Sequence, residues 1–136
     1  MIYGGRIDQI GPPAAPPMAG LTIQRTAGSF GTRLTALLED QPIGYCECVP
    51  DLTAGGAVPA LRGWAELAEL EIEPAWQRRG IGTWLVQHAV AWLRFGGCDR
   101  IVLAVTAESE AAGADRFYRR FGWNRLVRQE RGWSFK

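Results

Sequence analysis

Leu21-Thr22-Ile23-Gln24-Arg25 alternates apolar and polar positions, the two-residue period of a strand with one face on a core. Gly28-Ser29-Phe30-Gly31 reads as a turn. Arg33 to Glu39 and Ile43 to Val49 predict two further strands, joined at Asp40-Gln41-Pro42. Asp51 to Arg62, rich in Gly, Ala and Pro, predicts a mobile loop. Trp64 to Ile72 contains strong helix formers, but Gly63 precedes it and Pro74 stops it, and a strand is the preferred reading. Thr83 to Phe95 is the clearest helix: Leu85, Ala89, Trp92 and Leu93 share one face, and Gly96-Gly97 supplies a stop. Arg100 to Thr106 has the β-branched, apolar character of a buried strand. A second helix is expected from Ser109 or Glu110 to about Arg120, ended by Gly122, and Arg125 to Lys136 reads as a closing hairpin around Glu130-Arg131-Gly132.

A strand meander followed by strand, helix, strand, helix, strand calls for an α/β chain with a mixed sheet and right-handed crossovers. Its 136 residues suffice for one compact domain. Ahead of it, Met1 to Ile10 reads as a short strand or arm. Gly11 to Gly20 carries four prolines, which remove backbone donors and fix φ, so an extended linker is expected. The division expected is thus an arm and proline-rich linker over 1–20 and the domain proper over 21–136.

Composition narrows the partners. With 47% hydrophobic and 21% charged residues, the chain has the balance of a soluble globular domain. The formal charge of +1 makes no electrostatic case for nucleic acid or an anionic membrane. No apolar run approaches the ~20 residues of a membrane span, and no secretory pattern opens the chain. Arginines cluster at Arg78-Arg79, Arg116 to Arg120 and Arg125 to Arg131; apart from the first pair these read as solvated faces. Cys46, Cys48 and Cys98 give an odd count and no disulfide framework, which points to a reducing cytoplasm. His88 is the only histidine, too few ligands for a metal site, and is read as packing between Trp84 and Trp92.

Glu73-Pro74-Ala75-Trp76-Gln77-Arg78-Arg79-Gly80-Ile81-Gly82-Thr83 is the segment that carries chemistry. A strand ends at Pro74, and a loop with two glycines opens onto the strongest helix. Free N–H groups and the helix dipole converge at Arg79 to Thr83, the makings of an anion site. Glycines at 80 and 82 allow close approach, and Arg78 and Arg79 add positive charge suited to phosphate oxygens. A Walker loop would need a lysine, and a dinucleotide fingerprint a third glycine or alanine where Leu85 stands; neither fits.

Gln77-Arg78-Arg79-Gly80-Ile81-Gly82 resembles the pyrophosphate signature of the GNAT superfamily of acyl-CoA N-acyltransferases, Gln/Arg-x-x-Gly-x-Gly/Ala. Leu70-Glu71-Ile72-Glu73-Pro74 is similar to the strand that precedes it in the family. Arg116-Phe117-Tyr118-Arg119-Arg120-Phe121-Gly122-Trp123 resembles the family's Phe-Tyr-x-x-x-Gly-Phe. The three matches stand in family order over about half the chain. The resemblance implies the GNAT fold, a central, mostly antiparallel sheet with a V-shaped splay and flanking helices. It implies transfer of an acetyl group from acetyl-CoA to a primary amine on a small molecule or peptide, without a metal. Backbone amides of Arg79 to Thr83, with Gln77 and Arg78, would hold the pyrophosphate, and the backbone at Leu70, Glu71 and Ile72 would bind the pantetheine arm like an added strand. Tyr118 matches the family's general acid, and Glu66 the position where some members carry a glutamate base. Strand alternation puts Glu66 on one face and Glu69 and Glu71 on the other.

Three features depart from the family. Only Thr26 to Thr32 stands where many relatives place two acceptor-side helices, too little for one. Glu108-Ser109-Glu110 replaces a frequent Asn, and Val105 to Tyr118 is slightly long. Three explanations are open: the C-terminal half of a tandem protein with a further N-terminal domain, a homodimer that completes the acceptor site, or a CoA-binding domain without efficient turnover.

Overall fold

A computed structural model describes residues 1–50, 63–129 and 132–135 of the chain. Among these residues, eight strands form one sheet: β1 (Ile2–Arg6), β2 (Leu21–Ala27), β3 (Thr32–Leu38), β4 (Gln41–Val49), β5 (Trp64–Ile72), β6 (Arg100–Ala104), β7 (Asn124–Gln129) and β8 (Gly132–Phe135). Their order is β2-β3-β4-β5-β6-β1-β7-β8. Every neighbouring pair is antiparallel except β5 and β6, which run parallel and are joined by the crossover helix α1 (Ile81–Phe95). Trp64 to Ile72 is therefore a strand, and its helix-forming composition is overridden by pairing on β4. The loop expected over 51–62 lies outside the described residues.

The hairpin between β3 and β4 turns one residue earlier than expected and is a residue shorter. Glu39 and Asp40 both take positive φ, 48° and 67°, the mirror-image turn whose twist matches the flanking strands. Pro42 consequently falls inside β4, where the register slips between Ala36 and Leu37.

The segment expected to precede the domain is part of its interior. β1 lies between β6 and β7, pairing with β6 from Ile2↔Ala104 to Arg6↔Arg100 and with β7 at Tyr3↔Arg125 and Gly4↔Asn124. Its two glycines make the fit. A Cβ on Gly5 would stand 2.6 Å from Trp123 Cδ1, and one on Gly4 2.8 Å from the Ile101 carbonyl oxygen. From β1 the proline-rich segment crosses α1 from its C-terminal to its N-terminal end. Arg94 Nη1 donates to Ile10 O (2.6 Å), Ala14 N donates to Gln87 Oε1 (3.1 Å), and Pro17 reaches the Gly80 turn. Seven residues extended at ~3.1 Å each span ~22 Å, the length of fourteen helical residues at ~1.5 Å. The prolines keep this strap extended, and the expected linker between domains is a strut across α1.

One face of the sheet carries the core. Tyr3, Leu34, Cys46, Cys48, Ala65, Leu67, Ile101 and Leu103 are buried there with Leu85, Val86, Ala89 and Leu93 of α1. Cys46 and Cys48 share this face as their spacing predicts, and all three cysteines are buried outside any disulfide. The chain returns from β6 through a single helical turn, α2 (Ala107–Ser109), a π-helical turn over Glu110–Ala114 and the short helix α3 (Asp115–Arg119). The single helix expected here is broken at Gly113, with φ of 109°, and the wide turn accounts for the extra length between Val105 and Tyr118.

Candidate functional site

β5 and β6 part company a third of the way along β5. They pair at Trp64↔Arg100, Ala65↔Ile101 and Glu66↔Val102 and no further. From Leu67 on, β5 follows β4 to Gly44↔Ile72, while β6 follows β1. The sheet thus forks, and the backbone of β5 from Leu67 to Ile72 presents one edge without a strand partner among the described residues. Such an edge is a row of donors and acceptors for an extended ligand.

The edge runs directly into the loop that opens α1. Gln77 Nε2 donates to the Ile72 carbonyl at 2.9 Å, fixing the exit from β5. The chain turns through a 3-10 helical turn (Pro74–Trp76), through Arg78 at φ 63° and through Gly80 at φ 85°, and enters α1. Gly80, the N-cap residue, has no side chain to cap the helix, and no acidic residue stands in the first turn. The first-turn N–H groups therefore lack the usual intrachain acceptors. Arg79 lies over the Trp76 ring at 4.9 Å, and Arg78 and Arg79 are exposed. Uncapped N–H groups, the helix dipole and two exposed guanidinium groups together favour a polyanion.

The other face of β3, β4 and β5 is polar. A bulge at Ala68 shifts the phase of β5, with Leu67 opposite Cys48 and Glu69 opposite Glu47. Directly paired residues share a face, so Glu66, Glu69 and Glu71, opposite Val49, Glu47 and Tyr45, all lie on this one. The expected split of Glu66 from Glu69 and Glu71 is corrected by that one inserted residue. Tyr45 Oη donates to Glu69 Oε2 at 2.6 Å, and its ring lies 4.0 Å beneath the Arg33 guanidinium. Glu69 and then burial push the Tyr45 phenol up to about 12. Glu47 is fully buried, yet its carboxyl is held below the usual range. Burial alone would raise it; the Phe30 N–H, Arg33 and the Ser29 N–H outweigh that effect. These contacts clamp the tight Gly28–Gly31 turn onto the sheet, where Gly28 N donates to Gly31 O. A cleft of about 690 Å³ opens along the end of β5, lined by Arg33, Thr35, Tyr45, Glu71, Gln77 and Ser109 among others.

Tyr118 sits on the core face, 8% exposed, stacked near Trp123 and edge-on to Phe117. Burial, with a smaller contribution from Cys46, pushes its phenol up to about 12. Its hydroxyl makes no hydrogen bond to a described residue, and the raised pKa keeps it a neutral donor at ordinary pH.

The model of the acetyltransferase (GNAT) family matches residues 8–123. This chain belongs to that family. No curated protein matches it significantly. Among solved structures it is similar to a GCN5-related N-acetyltransferase from Sphaerobacter thermophilus, at 21% identity and a TM-score of 0.63, over 90% of this chain and 47% of that one. An aminoglycoside acetyltransferase from an uncultured soil metagenomic sample, in complex with sisomicin, is 17% identical with a TM-score of 0.57, over 75% and 87%. The PaiA N-acetyltransferase of Thermoplasma acidophilum, in complex with coenzyme A, is 19% identical with a TM-score of 0.53, over 74% and 55%. The chain spans about half the length of the Sphaerobacter and Thermoplasma proteins.

The GNAT fold brings most of the sequence-derived residues together. Leu70, Glu71, Ile72 and Gln77 line the cleft, and Arg78 to Thr83 make the turn and the first residues of α1 that follow. Glu66 stands at the vertex of the fork, the last residue at which β5 pairs with β6. It lies on the polar face and Tyr118 on the core face, so the two flank the sheet from opposite sides. Arg33, Tyr45 and Ser109 were missed. Arg33 and Tyr45 alternate correctly to share a face, but ordinary strand composition gives no sign that the face borders a cleft. Among the described residues no cluster of metal-binding side chains exists and no helix is long and apolar enough to cross a membrane.

Proposed function

We propose that this GNAT chain is an N-acetyltransferase that moves the acetyl group of acetyl-CoA to a primary amine of a small molecule or peptide. The observation that carries the reading is the continuity of the forked β5 edge with the uncapped start of α1. An extended pantetheine arm along Leu70, Glu71 and Ile72 delivers its pyrophosphate to the amides of Arg79 to Thr83, next to Gln77 and Arg78. The amine nitrogen attacks the thioester carbonyl carbon and the C–S bond breaks. Tyr118 donates a hydrogen bond to the departing sulfur. With its pKa near 12 against ~8.5 for a thiol, complete transfer is uphill by about 5 kcal/mol, which favours a hydrogen-bonded thiolate that takes its final proton from solvent. Glu66, directly or through water, takes the proton released by the amine. Three cysteines outside any disulfide suit a reducing cytoplasm, and neither nucleic acid nor a membrane is a partner.

Titration calorimetry with CoA, dephospho-CoA and pantetheine tests the reading. Saturable CoA binding, weakened stepwise in the two truncated ligands, supports it; no binding by the folded protein overturns it. A second reading has one observation in its favour. The β2–β3 connection is a clamped turn in place of acceptor-side helices, which suits a CoA-binding domain whose acceptor site is completed by a second copy or a further N-terminal domain. CoA binding without turnover on any amine by the isolated chain favours it.

A further inference from the structure

β1 brings in a side chain that no motif marks. Tyr3 is fully buried, and its hydroxyl donates to Asp115 Oδ1 at 2.5 Å and lies 3.0 Å from Glu110 Oε2. Arg125 closes the cluster: its Nη2 pairs with Glu110 Oε1, and its Nε donates to the Tyr3 oxygen at 3.4 Å. Glu110 and Asp115 are five residues apart, the hydrogen-bond spacing of a π-helical turn, and both carboxylates face one hydroxyl. Gly113, at φ 109°, supplies the widening. Tyr118 follows three residues later, its ring 6.1 Å from that of Tyr3 and tilted by 42°. It rides on a five-residue helix, which is too short to hold its own position and depends on tertiary contacts. The shortest polar contact on that helix from outside its own segment is the Tyr3 hydroxyl, more than a hundred residues away in sequence.

We propose that Tyr3 is a positioning residue for acyl transfer: by clamping Glu110 and Asp115 across the wide turn, β1 sets the placement of Tyr118. The proposal rests on the reading of Tyr118 as the group that assists the departing sulfur. It makes the N-terminal strand part of the reaction machinery and not only of the sheet.

The chain holds three tyrosines, Tyr3, Tyr45 and Tyr118, so uniform labelling with meta-fluorotyrosine yields three fluorine resonances, each assigned by its loss in a Phe variant. Tyr45 lies on the opposite face of the sheet, in the cleft, and in the ligand-free protein it reports on the fold away from the Tyr3 cluster. In Tyr3→Phe the Tyr118 resonance is expected to move or broaden while that of Tyr45 stays, and the response of Tyr118 to added CoA to shrink while CoA affinity changes by less than about twofold. Asp115→Asn, which keeps an acceptor for the Tyr3 hydroxyl, is expected to leave Tyr118 close to its native resonance. An unchanged Tyr118 line in Tyr3→Phe overturns the proposal, as does a shift shared equally by Tyr45. Failure of the acyltransferase reading shows separately: no line of the native protein then responds to CoA, while the ligand-free spectra still decide whether Tyr3 places Tyr118.

Discussion

Gly82→Asp separates folding from cofactor binding, because its two effects have opposite signs. Gly82 is the second residue of α1, half-buried, with its N–H in the uncapped first turn. A Cβ there would lie 3.6 Å from Phe117 Cζ and 3.8 Å from Ile72 Cγ1, ordinary contact that needs no backbone shift. A carboxylate at this end of a helix without acidic residues meets the dipole favourably, for ~0.3–1 kcal/mol. Replacing a helical glycine adds a few tenths. The melting temperature should therefore rise by about 2–4 °C. A phosphate held by the same N–H groups would stand ~4 Å from the new charge, a repulsion of about 1 kcal/mol in water and about 4 kcal/mol at an effective dielectric constant near 20. For a half-buried residue about 1.5–3 kcal/mol is expected, a loss of CoA affinity of about 10- to 150-fold. Calorimetry with CoA on the native protein, Gly82→Asp and Gly82→Asn, at low and high salt, measures it. The uncharged Asn should lose far less, and salt should narrow the gap. CoA binding by Gly82→Asp within about twofold of native, or an equal loss in Asn, would refute the placement of phosphate at this helix start.

Tyr118→Phe should lower turnover by about 100-fold while sparing acetyl-CoA binding, read as a split between kcat and KM. Because burial raises the Tyr118 pKa from 10 to about 12, the folded state holds that proton more tightly than the unfolded state; stability falls as pH climbs through that range, and Tyr118→Phe should flatten the fall in alkaline denaturation curves. Glu47→Ala should cost about 2–4 kcal/mol in urea unfolding, since it leaves the Ser29 and Phe30 N–H groups and Arg33 without their acceptor. The depressed Glu47 carboxyl contributes stability above the unfolded carboxylate pKa that is lost as pH falls through its folded value, so acid sensitivity should lessen in Glu47→Gln. Gly5→Ala drives a methyl against Trp123 and should cost at least about 1–3 kcal/mol by thermal melting.

Local signals carried the sheet-helix-sheet core and the glycine-containing loop that opens α1. Gly80 and Gly82, two arginines and the stop at Pro74 announce that loop within eleven residues, and the apolar stripe of α1 announces the helix behind it. The expectations that failed are non-local. Nothing within Ile2–Arg6 says that it will be held between β6 and β7, because its partners are about a hundred residues away and its two glycines weaken any strand signal. Prolines that read as an extended linker ahead of the domain form a strut within it, because α1 supplies a surface of matching length. The faces of Glu66, Glu69 and Glu71 turned on one bulged residue, Ala68, which alternation counted along a single strand does not reveal.

The composition of the open face bears on how an acceptor is bound. Had the sheet been built to seat a pair of helices over β3, β4 and β5, the residues pointing at them would need to be apolar, since that is how a sheet buries a helix. The described residues there include Leu37 and Val49 beside the polar Arg33, Thr35, Tyr45, Glu47, Glu66, Glu69 and Glu71, and the contacts among the polar ones are hydrogen bonds, an ion pair and a stacked guanidinium. Among the described residues, the segment clamped over them is the short turn that Glu47 holds. Such a surface is stable in water, and it would be costly to dry under an apolar cover. A partner that completes the acceptor site must therefore approach with polar groups of its own or seat itself beyond this face. An amine of the proposed kind would instead approach through the cleft that Glu71 and Tyr45 line. The polar face thus favours an acceptor site open to solvent, and turnover by the isolated chain is the outcome it leads one to expect.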